Sequence, residues 1–332
     1  MLVGASRTSP ATFGPVLAAG ETLYSSAGLL RQLGRIELKI LRTPEARFAH
    51  LPDFPFESRY HQVTPDLRLH YVDEGPGDGQ PVLMLHGEPT WSYLYRHMIG
   101  PIAKAGLRAL APDLIGFGKS DKPAAREDYS YAGQVAWIRH WIEALDLRDI
   151  TLVCQDWGSL IGLRLAAESP DRFARVLLSN GGLPTGTGAP PPFKVWRAFS
   201  RYSPWFPIGR IVQSGCKRTL SDAEVAAYDA PFPDSSFKAG ARAYPSLVTV
   251  EPHIPGVAEN EKAWAVLEQW QKPFICCFSD GDPITRGGDA RFRQQIPGAQ
   301  GQPHTTLSGG HFIQEDDPQA VARLAIDSIK AG

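Results

Sequence analysis

From Leu67 onward the chain alternates between two spacings of apolar residues. Leu67 to Val72 alternates apolar and polar side chains, as a half-buried strand does. Gly75 to Gly79 is a Gly/Pro/Asp turn, and Pro81–Leu85 is a short apolar run that ends at His86-Gly87. Leu107 to Ala111 is a second run, ending at Pro112-Asp113. Ile138, Trp141, Ile142 and Leu145 then recur at helical spacing. Ile150 to Cys154 reads as the next strand, Ser159 to Glu168 as a helix, and Arg175 to Asn180 as a strand. Pro273 to Ser279 and Pro303 to Leu307 read as two more strands. Asp317-Pro318 opens a last helix, with Asp as N-cap and Pro in the first turn. Strands alternating with helices predict an α/β fold with a mostly parallel sheet covered on both faces.

The rhythm stops near Gly181. Residues 182–256 are rich in Pro, aromatic and basic residues, with helix-like pieces such as Leu220–Tyr228, and read as an inserted helical cap. The expected division is a core domain of residues 39–181 and 257–332, the cap between them, and an N-terminal extension of residues 1–38. The extension is rich in Gly, Ala, Ser and Thr. It is expected to be partly disordered, with a short helix near Ala27–Ile40. It has Arg7 as its one early positive charge and no compact apolar segment like that of a signal peptide. A cytoplasmic protein is expected, with a periplasmic one as the alternative if the extension is an atypical signal.

Composition narrows the function classes. The 332 residues carry a formal net charge of −1, with no block of basic residues, so neither nucleic acid nor a membrane surface is an expected partner. No apolar stretch approaches the roughly 20 residues that span a bilayer. The four cysteines form no Cys-x-x-Cys pair, so no metal site is expected, and buried free thiols in a reducing compartment are.

The chemistry concentrates at strand ends. Cys154-Gln-Asp156-Trp-Gly158 runs from a strand into a helix, with an acidic residue flanked by small ones. That is the pattern of a nucleophile elbow, with Asp156 in the place of the nucleophile. A carboxylate can attack carbon and form an ester. The competing role for Asp156 is simply to cap the following helix. Ser308-Gly-Gly-His311-Phe follows the last strand, where such a fold places its base. His304 is the rival but lies within the strand run. The acid belongs in the loop after Ser279, where Asp280 and Asp282 both qualify. Asp282 suits a reaching loop, whereas Asp280 suits the Asp280-Gly281 turn. The backbone N–H groups of Glu88, after His86-Gly87, and of Trp157 are the expected oxyanion hole.

Taken together, His86 to Arg96 (HGEPTWSYLYR), Ala111 to Asp121 (APDLIGFGKSD), Gln155 to Gly158 (QDWG) and Gly309 to Phe312 (GGHF) closely resemble the haloalkane dehalogenases, in the branch with Glu after His-Gly. The likeness runs from about Ile40 to Lys330. It implies an α/β-hydrolase fold with an eight-stranded, mostly parallel sheet, Asp156 as nucleophile, His311 as base and Asp282 as acid. It also implies that two indoles bind the departing halide. One is Trp157. The second comes from a cap Phe-x-x-Trp element, which Phe193-Lys-Val-Trp196 matches, with Trp205 as the alternative. The implied partners are a small halogenated aliphatic substrate and a halide ion, with no cofactor, and a monomer is expected. Leu160, Phe193 and Phe232 are the expected pocket lining. An epoxide hydrolase uses the same Asp but protonates its substrate with cap tyrosines. Tyr202, Tyr228 and Tyr244 are the candidates for that role, so this is the competing activity.

Overall fold

The computed structural model describes residues 38–331. Ten strands occur among them: β1 (Ile40–Leu41), β2 (Arg59–Gln62), β3 (Arg68–Glu74), β4 (Pro81–Leu85), β5 (Arg108–Pro112), β6 (Lys122–Pro123), β7 (Ile150–Asp156), β8 (Phe173–Gly181), β9 (Phe274–Ser279) and β10 (Thr305–Leu307). Eight of them form one sheet in the order β10-β9-β8-β7-β4-β5-β3-β2. The six from β10 to β5 run parallel; β3 is antiparallel to β5, and β2 to β3. The mostly parallel sheet expected from the alternation is therefore present, with the eight strands that the family resemblance implies. The strands β4, β7 and β9 are buried along both faces, as near-continuous apolar runs require when helices cover both sides.

The helices are α1 (Arg96–Lys104), α2 (Tyr131–Ala144), α3 (Trp157–Glu168), α4 (Pro191–Tyr202), α5 (Ile208–Ser214), α6 (Asp222–Asp229), α7 (Ala239–Leu247), α8 (Val257–Leu267), α9 (Asp289–Gln295), α10 (Ile313–Asp316) and α11 (Pro318–Lys330). Local chemistry sets several boundaries. The Ser130 hydroxyl caps α2 by accepting from Gly133 N, Ser221 and Glu224 form a capping box on α6, and Asp317 caps α11 through Ala320 N. The four helices α4–α7 lie between β8 and α8, where the strand rhythm stops. No helix among the described residues is long and apolar enough to cross a membrane.

Two features depart from the sequence pattern. The helix expected near Ala27–Ile40 falls outside the described residues except for its last three positions, and there Ile40–Leu41 is a strand. It pairs with Lys122–Pro123, and Arg42 beside it donates two hydrogen bonds to the buried carboxylate of Asp121 at 3.0 and 3.2 Å. These distant partners override local propensity. Strand β2 had no apolar alternation to reveal it, because Arg59–Gln62 is a polar edge whose side chains are mostly exposed.

Candidate active site

The elbow is built by backbone conformation. Strand β7 ends at Asp156, which takes φ 48° and ψ −122°, and α3 starts at the next residue. This region is unfavourable for a residue with a Cβ and persists where surrounding structure imposes it. The turn is tight enough that a Cβ at Gly158 would lie 1.9 Å from the Leu85 carbonyl oxygen at the end of β4, so only glycine fits. Asp156 occupies the N-cap position of α3, yet its side chain makes no capping hydrogen bond. The carboxylate instead accepts from Glu88 N at 2.7 Å and faces His311, with Oδ2 3.6 Å from Nε2.

His311 lies in the loop after β10. Its Nδ1 donates to Asp282 Oδ2 at 2.9 Å. Asp282 is completely buried and further accepts from Ile284 N at 2.9 Å and from the Thr285 hydroxyl. Burial opposes ionisation of this carboxyl, but the His311 charge and these hydrogen bonds outweigh it, and its pKa falls to about 2. Burial likewise opposes a charge on His311. The two carboxylates of Asp282 and Asp156 prevail, and the imidazole is pushed up to about 10. Asp280 has a different partner: its Oδ1 accepts from Gly309 N at 3.2 Å. His304 is also occupied, accepting from Cys276 N and donating to the Ala299 carbonyl.

A cavity of about 400 Å³ opens over this row. Asp156, Asp282, His311, Glu88, Trp196 and Phe193 all line it. Burial is the main cause that raises the Glu88 carboxyl well above the usual range; Asp156 adds to it, and His311 and the Trp196 indole offset a part. This shift opposes a third carboxylate charge in a cavity that Asp156 and Asp282 already line. Trp196 stacks on Phe206 with centroids 5.7 Å apart. Trp205 is 68% exposed and is not part of the lining. Trp157, expected as a halide ligand, is buried between Tyr131 and Tyr244, with ring centroids at 5.6 and 4.5 Å, and is not among the residues that line the cavity. Its backbone N–H is at the first position of α3, where no intrahelical acceptor exists.

Two expected lining residues are placed elsewhere. Leu160 is buried within α3, where its carbonyl accepts from the Tyr131 hydroxyl of α2 at 2.6 Å, and it does not line the cavity. Phe232 packs edge-on against Phe117 at 6.4 Å, between the cap and the loop after β5, and does not line it either. Sequence spacing could place both near the elbow but could not show which way the packed rings and methyls face.

Two polar residues of the site went unassigned in the sequence. Asn180, at the end of β8, has φ 32°; its amide nitrogen lies 2.9 Å from the Ser279 hydroxyl and from the Gly310 and His311 carbonyls, and its oxygen accepts from Ser279 N. It ties β8 and β9 to the His311 loop. Its position at the C-terminal end of a strand, where open α/β sheets bind ligands, was the available signal. Gln155 donates to the His311 carbonyl at 3.2 Å and lies 3.0 Å from His311 Nε2. The second contact is a hydrogen bond only when the ring is neutral.

The family model of the alpha/beta hydrolase fold matches residues 80–209. A haloalkane dehalogenase of Mycolicibacterium paratuberculosis is 54% identical over 293 residues, which is 86% of this chain and 97% of that protein. One from Psychrobacter cryohalolentis is 53% identical over 298 residues, 88% and 98% of the two chains. The chain belongs to the haloalkane dehalogenases. A solved structure of a haloalkane dehalogenase from Paraglaciecola agarilytica, described as tetrameric, superimposes with a TM-score of 0.83 at 33% identity, covering 88% of this chain and 99% of that one. This haloalkane dehalogenase is therefore an enzyme, a hydrolase acting on carbon–halogen bonds. The three cap tyrosines that were candidates for the acid of the competing activity stand outside the cavity lining. Tyr202 is 72% exposed, the Tyr228 hydroxyl is bonded to Glu315, and the Tyr244 hydroxyl donates to the Ile115 carbonyl; none of the three lines the cavity.

Proposed function

We propose that Asp156 is the nucleophile of a two-step hydrolysis in which His311, oriented by Asp282, is the base. The observation that carries this reading is the placement of the Asp156 carboxylate, free of any helix-capping bond, 3.6 Å from His311 Nε2 in one cavity. In the first step an Asp156 oxygen bonds to the halogen-bearing carbon. The carbon–halogen bond breaks, and its electron pair leaves with the halide. No acid is required, because halides depart unprotonated. The Trp157 and Trp196 indole N–H groups hold the halide; each donates and neither can surrender its proton. Phe193 supplies an apolar wall for the alkyl group.

In the second step water attacks the carbonyl carbon of the Asp156 ester. His311 takes its proton, and the backbone N–H groups of Glu88 and Trp157 stabilise the oxyanion. The bond from the acyl carbon to the alkoxy oxygen then breaks, the alkoxy oxygen takes the proton held by His311 to give the alcohol, and the new Asp156 carboxyl passes its remaining proton to the imidazole, which restores the carboxylate. The electrostatics support an order to these events. In the resting enzyme two carboxylates keep His311 protonated. Esterification removes the charge of Asp156, which lowers the pKa of the imidazole and raises the share of His311 free to act as a base at the stage that needs one. The products are an alcohol, a halide and a proton.

Residues 182–256 serve as the cap over the cavity in this reading, and the protein works as a monomer. Sedimentation velocity tests the latter; exposed Val195, Tyr202 and Trp205 are the surface at which a larger assembly would close. The central test is His311→Gln. Intact-mass measurement after mixing with a short bromoalkane should show one alkyl group on the protein, with release of one bromide per active site and then a stop. Continued turnover without an adduct would refute the roles of both Asp156 and His311.

A further inference from the structure

The loop that carries His311 is joined to the cap by a partly buried polar cluster that takes no part in the steps above. Helix α10 follows His311 directly and bears Glu315 and Asp316. The Asp316 carboxylate accepts from three backbone N–H groups: Gly310 at 2.7 Å, beside His311, and Lys217 and Arg218 at 2.9 and 2.8 Å, in the cap after α5. The two backbones touch. A Cβ at Gly310 would lie 2.2 Å from the Gly215 carbonyl oxygen, and a Cβ at Gly215 would lie 2.6 Å from the Phe312 ring. Phe312 N in turn donates to the Gly215 carbonyl at 3.3 Å.

Glu315 anchors this joint from behind. It accepts from Arg96 at 2.5 and 2.9 Å, and also from Arg218 and the Tyr228 hydroxyl; Glu224 in α6 accepts from both guanidiniums. The side chains of Arg96 and Glu315 are wholly buried. Two guanidiniums and two carboxylates balance in charge. A buried ion pair is a weak source of net stability, since desolvation offsets the attraction, but it specifies geometry because any misplaced member is left unpaired. The elements it registers are the loop holding the base and the cap segment, Ser214 to Lys217, that walls the same cavity.

We infer that Asp316 is a positioning residue for His311: by tying Gly310 to the cap backbone at Lys217 and Arg218, it sets the imidazole for the hydrolytic half of the reaction. This rests on the reading of His311 as the base. The first half needs only Asp156 and the halide donors, which other elements hold, so loosening the joint slows the second half selectively. Asp316→Asn keeps the side-chain volume and one acceptor oxygen while removing the other. Rapid-quench halide measurement on the whole protein with a short bromoalkane should show a burst of one bromide per site at a rate close to the parent's, followed by steady turnover slowed about tenfold. A purely structural role would lower the burst amplitude, or both rates in proportion, and that result overturns the proposal, as does parental steady turnover. Arg218→Met, at the half-exposed edge of the cluster, provides the second variant should Asp316→Asn not fold. It should show the same selectivity at reduced size, and equal slowing of both steps overturns the proposal. His311→Gln run in parallel separates the two levels. Without a burst there, the reading of His311 fails; with one there but no selective slowing in either cluster variant, only the positioning role fails.

Discussion

Replacing Asp156 by Asn should lower the pKa of His311, because the amide has nearly the shape of the carboxylate but the neutral charge of the ester. In the parent, His311 is pushed up to about 10 by Asp282 and Asp156 together against the opposing effect of burial. Asp156 Oδ2 stands 3.6 Å from Nε2, with a quarter of its side chain exposed. At that separation the attraction is about 4–5 kcal/mol at an effective dielectric of about 20 and about 1 kcal/mol in bulk water. The partly exposed pair falls between these limits, so its removal should lower the value by about one to three pH units. Titration of the His311 Cε1–H resonance, assigned by its absence in His311→Gln, measures the shift. Asp156→Gln would add a methylene and confuse packing with charge, so Asn is the informative change. If the ring in Asp156→Asn titrates where it does in the parent, the nucleophile does not hold the proton on the base, and the proposed gain in free base on esterification is wrong.

Other outcomes follow from the same geometry. Trp196→Phe keeps the aromatic packing on Phe206 but loses one donor. A hydrogen bond to an anion contributes about 1.5–3 kcal/mol, so product inhibition by bromide should weaken by roughly ten- to a hundredfold. Asp282→Asn should leave the halide burst intact and slow ester hydrolysis, which single-turnover kinetics would resolve; a lost burst would mean that Asp282 serves the first step. Glu315→Gln leaves Arg96 short of a buried counter-charge and should cost about 3 kcal/mol or more in urea unfolding; an unchanged midpoint would show the cluster to be slack. The folded value of His311 lies above its unfolded value of about 6.5, so its contribution to stability is complete below about pH 6.5 and is lost as pH rises through about 10. Asp282 is displaced the other way, and its contribution is present above about pH 4 and disappears as pH falls through about 2. The urea midpoint should therefore decline between pH 6.5 and 10, and His311→Gln should flatten that decline.

The apolar runs by themselves determined the parallel core of this protein, because strands buried on both faces must be apolar along their whole length. The same holds for the elbow: only a small residue fits at position 158, and the motif around Asp156 carries that constraint in its letters. The Ser221 cap on α6 emerged only from the structure, whereas the start of the last helix was legible because Asp317 caps it with its own side chain. Pairing with distant partners was not. The strand at Ile40 exists because Lys122 lies beside it and Asp121 takes the charge of Arg42. The polar edge Arg59–Gln62 is held by hydrogen bonds to β3 that leave no mark in hydrophobic spacing. Asp280 and Asp282 both qualify in the sequence; in the folded loop it is the Asp282 carboxylate that lies 2.9 Å from His311. Likewise, Trp196 and Trp205 are alternatives on paper, but only one lines the cavity. Leu160 and Phe232 lie outside the cavity lining, because a residue's distance along the chain from Asp156 says little about the direction of its side chain once helices and rings have packed. The capacity for the chemistry lies in residue types at strand ends. The orientation and charge state of those groups come from burial and from neighbours far away in sequence, and these exist only in the folded chain.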